Sequence, residues 1–80
     1  MTIKNLLECD VLSKVILCEY KGKDEDGKVI EEWLWTSEDF AGLKDVPSKY
    51  TAREVLEIRS GYYICEVGVA TMIIILVKEA

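Results

Sequence analysis

Histidine is absent from the 80 residues. With it go the commonest general base, the Cys-His and Ser-His nucleophile pairs and the most frequent metal ligand. Proline occurs once, at Pro47, and glycine five times, which leaves little room for a flexible linker. Gly22, Gly27 and Gly42 have neither the spacing nor the strand-to-helix setting of a phosphate-binding loop. The most apolar segment, "YYICEVGVATMIIILV", is 16 residues long and contains Glu66. That is short of the roughly 20 residues a membrane-spanning helix needs, and its Ile and Val content reads as buried strand. Basic side chains are scarce, ten against fifteen acidic, for a net charge of −5. Direct binding of DNA or RNA requires Lys and Arg against phosphates, so this balance argues against it.

The acidic excess lies wholly in the first half. Residues 1–40 hold Glu8, Asp10, Glu19, Asp24, Glu25, Asp26, Glu31, Glu32, Glu38 and Asp39 against five lysines. Such a surface favours partners with a basic surface, among them proteins that handle nucleic acid. Half the residues are apolar, enough for one small core and a single domain spanning 1–80. A core of this size leaves a few kcal/mol of net stability, so a dimer or a metal would be a natural supplement. No export signal is visible in "MTIKNLLECD", and three cysteines are an odd number, so the expectation is reduced thiols in a cytoplasm.

Along the chain, "IKNLLE" suits a short helix with Ile3, Leu6 and Leu7 on one side. "VLSKVILCEY" and "VIEEWLWT" read as strands joined by "KGKDEDGK", in which Asp26-Gly27 signals a two-residue hairpin turn. That turn sets Glu25 against Lys28, Lys21 against Glu32, Tyr20 against Trp33 and Cys18 against Trp35. Alternation then puts Ile16, Cys18, Tyr20, Val29, Trp33 and Trp35 on the expected core face. The other face carries Val15, Leu17, Ile30 and Leu34 with Glu19, Lys21 and Glu32, and is either covered by a helix or left for a partner. Thr36 and Ser37, followed by Glu38 and Asp39, have N-cap chemistry for one or two helical turns before Gly42. "REVLEIRS" predicts a strand ended by Ser60-Gly61, and two more follow near Tyr62 to Val67 and Thr71 to Lys78, with Gly68 at the turn. The predicted fold is α+β, a small mostly antiparallel sheet of four to five strands with one or two short helices.

No residue set assembles a reaction. Glu31-Glu32 and Glu38-Asp39 are sequence neighbours, which point to opposite faces of a strand, and so short a chain can hardly enclose a two-carboxylate cleft. The expectation is a protein without catalytic residues or an obligatory cofactor. Cys9, Cys18 and Cys65 are small buried hydrophobes in one reading. In the other they are three thiolates of a structural zinc site completed by Asp10 or Glu66. Trp33 and Trp35 are core in one reading. In the other they are anchors beside an acidic rim, which is how a protein-binding surface looks. Asp24, Glu25, Asp26, Glu31, Glu32, Trp33 and Trp35 are the candidate partner-binding residues.

The stretches "MTIKNLLE", "TAREVLEI" and "GYYICEVG" resemble small proteins of phages and mobile elements in Firmicutes. In size and charge the chain is also similar to anti-CRISPR inhibitors. The resemblance implies an intracellular setting without catalytic residues. It also implies inhibition of a host nucleic-acid-processing enzyme, such as a CRISPR effector nuclease. The alternatives from the residues themselves are a structural homodimer joined through the hairpin's second face or an edge strand, and a zinc-stabilised small regulator.

Overall fold

The computed structural model describes residues 1–8 and 13–79. Helix α1 (Ile3–Leu6) is followed by β1 (Lys14–Lys23), β2 (Val29–Thr36), a 3-10 turn (Ser48–Tyr50), β3 (Val55–Cys65) and β4 (Gly68–Val77). The strands make one sheet in the order β2-β1-β4-β3. The β1–β2 and β3–β4 pairings are antiparallel hairpins. The hairpins meet through β1 and β4, which are parallel, so their tips point to opposite ends of an elongated slab of 40 × 27 × 16 Å.

The sheet has four strands because β3 runs through Ser60 and Gly61 without a break. Gly61 lies opposite Met72, whose Cε would stand 2.9 Å from a Cβ at this position. The glycine therefore makes room for a neighbouring side chain and does not end the strand. Residues 36–45 hold no helix. The Ser37 hydroxyl accepts the Val15 N–H at 2.8 Å, and the Ser37 N–H donates to the Val15 carbonyl at 2.9 Å. The expected N-cap thus closes the start of β1 instead. Phe40 and Gly42 both have positive φ, 62° and 63°, which no helix interior accommodates.

The β1–β2 register differs from the predicted one. Asp24 N–H donates to the Lys28 carbonyl at 2.9 Å, and Gly27 sits at φ 80°. Three residues, Glu25 to Gly27, therefore form the loop, with glycine in the left-handed position that such loops need. Irregularities follow between Tyr20 and Lys23, where Gly22 has φ 104°, and between Leu17 and Cys18. Tyr20 consequently opposes Glu31, Glu19 opposes Glu32, Cys18 opposes Trp33 and Leu17 opposes Trp35. Since Leu17 and Cys18 face opposite ways, Trp33 and Trp35 are divided between the two faces.

The core lies on the Val15 and Leu17 side, the reverse of the face expected from the hairpin alone. Ile3, Val15, Leu17, Leu43, Ile75 and Val77 form it, with Leu34, Trp35, Val46, Tyr50 and Ile73 packed around them. Helix α1 and the 37–50 connection supply its cover. Asn5 Oδ1 accepts the Thr2 N–H at 2.8 Å and closes the first turn of α1. Ile3 N–H and Lys4 N–H donate to the carbonyls of Arg53 and Thr51, which fixes this segment against the start of β3.

Candidate interaction surface

Ile16, Cys18 and Tyr20 on β1 and Met72, Ile74 and Leu76 on β4 alternate with the core residues, so they project from the opposite face. No helix of the described residues covers that face. Trp33 stands on it, opposite Cys18 and 66% exposed. Glu31 reaches across two strands to an ion pair with Arg59 of β3. Arg59 also lies 3.6 Å from Glu57. Burial first, and the Glu31 carboxylate second, push the Cys18 thiol above its ordinary value, against the opposing pull of Arg59. A thiol kept protonated in this way is a poor nucleophile and a poor metal ligand.

At the hairpin tip, Asp24 Oδ1 accepts the N–H groups of Asp26 and Lys28 at 2.9 and 2.8 Å. Asp24 therefore builds the turn, while Glu25 and Asp26 are exposed. Glu32 lies on the core side, where its exposed carboxylate sits 3.3 Å from Lys21. Trp35 is half-buried against the core. Of the seven candidate residues, the fold thus gathers Glu31 and Trp33 on the open face and leaves Glu25 and Asp26 free beyond it. It assigns Asp24 to the turn and turns Glu32 and Trp35 away.

The opposite end of the open face holds a polar group that sequence reasoning missed. Lys14 Nζ is 3.5 Å from Asp39 Oδ1 and 5.1 Å from the centre of the Tyr63 ring. The Tyr63 hydroxyl donates to the same Asp39 oxygen at 3.0 Å. Desolvation, reinforced by this hydrogen bond to a carboxylate, pushes the Tyr63 phenol up to about 12. Two open depressions of about 550 and 430 Å³ share Lys14 and Asp39 and carry Glu38, Asp45 and Glu66 on their walls. Exposed Phe40, with its positive φ, stands at the second of them. No local motif marks this group, because β1, β3 and the 37–45 loop each contribute one residue to it.

A three-thiolate zinc site is not assembled. Cys18 aligns with Leu76 and Cys65 with Gly68, so eight β4 positions, roughly 26 Å at the usual strand rise, separate the two. One metal needs its ligands about 2.3 Å from itself. Cys9 lies outside the described residues, as does Asp10. Among the described residues no cluster of three His, Cys, Asp or Glu side chains could hold a metal ion, and no helix is long and apolar enough to cross a membrane. The chain matches no protein-family model, no curated protein and no solved structure.

Proposed function

We propose that this chain is a non-enzymatic, acidic protein-binding module. Its open sheet face around Trp33 and the acids Glu25, Asp26 and Glu31 grip a partner with a basic surface. The observation that carries the reading is Trp33 itself, a tryptophan two-thirds exposed on an apolar sheet face with acidic residues beside and beyond it. Buried aromatic anchors surrounded by polar residues supply most of the energy of protein interfaces, and surface acids steer basic partners toward them. The partner class is a nucleic-acid-processing enzyme, whose phosphate-binding surface is basic. In the mobile-element setting that the sequence resembles, a CRISPR effector nuclease fits, and the module acts as its inhibitor without touching nucleic acid.

The test is direct binding to a panel of purified effector nucleases, with cleavage as a second readout. Trp33→Ala should weaken binding at least tenfold, equivalent to about 1.4 kcal/mol or more. Reversing Glu25 and Asp26 to lysine should slow association several-fold and flatten its salt dependence. Reversing Lys44 and Lys49 on the covered side should change little. Equal effects from both sides of the slab, or no nuclease bound by the unaltered chain, would sink the proposal.

A further inference from the structure

We infer that a second copy of this chain pairs with the outer edge of β3, antiparallel about a two-fold axis at Gly61, so that both sheets continue as one. This reading is independent of the partner proposed above, since it leaves Trp33 and the acidic tip uncovered.

Strand β3 is an edge of the sheet. Its beginning is covered, because Val55 N–H donates to the Met1 carbonyl at 2.8 Å and Thr2 bridges Glu54. From Glu57 to Cys65 the described residues offer β3 no strand other than β4. Edges of this length are ordinarily blunted by lysine, proline or a bulge. The stretch from Glu57 to Cys65 has no lysine and no proline, and the one irregularity of its pairing precedes it, between Val55 and Glu57.

The side chains say what fits there. Ile58, Tyr62 and Ile64 lie on one face of β3 and are 47%, 74% and 87% exposed, continued around the turn by Val67 and Val69 at 79% and 72%. Together they leave several hundred Å² of apolar surface in water per copy, approaching the roughly 800 Å² that each partner of a standard interface buries. Met1 blocks any pairing that begins before Glu57, so a full antiparallel overlap of Glu57 to Cys65 centres on Gly61. In that register Ile58 meets the second copy's Ile64, and Ser60, small, meets the second copy's Tyr62, large. On the opposite face Arg59 meets Tyr63 and Glu57 meets Cys65, so no like charges oppose each other. The stretch holds one acid and one base, whereas the chain as a whole carries −5. Contact is neutral here, on a molecule whose copies would otherwise repel.

Sedimentation equilibrium of the full chain from about 10 to 500 µM should give twice the 9.1 kDa chain mass at the upper end. Ile64→Lys, at a position nearly fully exposed, should return the mass to 9.1 kDa with an unchanged strand spectrum. Trp33→Lys should leave the dimer intact. In a background with Cys9 and Cys65 replaced by serine, mixing Ser60→Cys and Tyr62→Cys copies should yield a disulfide-linked pair on mild oxidation. A single chain mass across the whole range overturns the inference. So does a dimer indifferent to Ile64→Lys, or an absence of cross-link in the mixed sample.

Discussion

Glu19 is an acid among the core residues, 5% exposed on the face of Leu17 and Val77. It survives there because Lys21 and Arg53 both bond it, while Arg53 also donates to the Lys78 carbonyl at 3.1 Å. Hydrogen bonds from Lys21, and then from Arg53, hold the carboxyl below its ordinary value of 4.5. A depressed folded-state value favours the native state above 4.5, and that contribution disappears as pH falls through the folded value. Urea unfolding of the unaltered chain should therefore lose stability below about pH 4.5. Glu19→Gln should be less stable at neutral pH and show a shallower acid limb, whereas equal slopes would show that Glu19 does not control it. The Glu19, Lys21 and Glu32 alternation was readable in the sequence, as a polar interruption of an apolar face. Its rescue by Arg53, from a segment 34 residues away, was not, because no local pattern couples the two.

At the scale of the element, the β1–β2 hairpin shows how much depends on one residue of loop length. Strand composition identified both strands, and β2 was bounded to the residue at Val29 and Thr36. Asp26-Gly27 marks the position of the turn but predicts a two-residue loop, and Asp24 captures two N–H groups and draws a third residue into it. A slip of one residue exchanges the faces of a strand, and the irregularities at Gly22 and Leu34 shift the register further. Together these shifts carry Trp35 to the Leu17 face and leave Trp33 on the face of Cys18 and Tyr20. Trp33 is exposed and Leu17 buried because α1 and the 37–50 connection cover the Leu17 side. Gly27, at φ 80° with open space where a Cβ would stand, can be tested alone. Gly27→Ala should cost about 1 kcal/mol, read as a lower urea midpoint with an unchanged slope. The expense is purely conformational, and a neutral result would show that the loop readily adopts another turn.

The whole molecule is thinner than its length warrants. Its radius of gyration is 13.0 Å, against roughly 11.6 Å for a compact domain of this size. The excess reflects one covered face and one open face. Stability should therefore concentrate where β1 and β4 are flanked on both edges. Amide hydrogen exchange should be slowest at Leu17, Ile74 and Ile75 and much faster along β2, and uniform protection across the sheet would contradict this. The run "IIILV" announced an interior strand in the sequence. Its parallel neighbour did not announce itself, since alternation identifies strands but says nothing about which lie side by side. That parallel seam also sets a timetable. Ser13 and Thr71 touch across it from 58 residues apart, and β4 is the last of the four strands to be made. On a ribosome the β1–β2 hairpin must wait a few seconds for its inner neighbour, at about 5–20 residues per second. Throughout that interval Val15, Leu17 and the free edge of β1 face the cell unpaired.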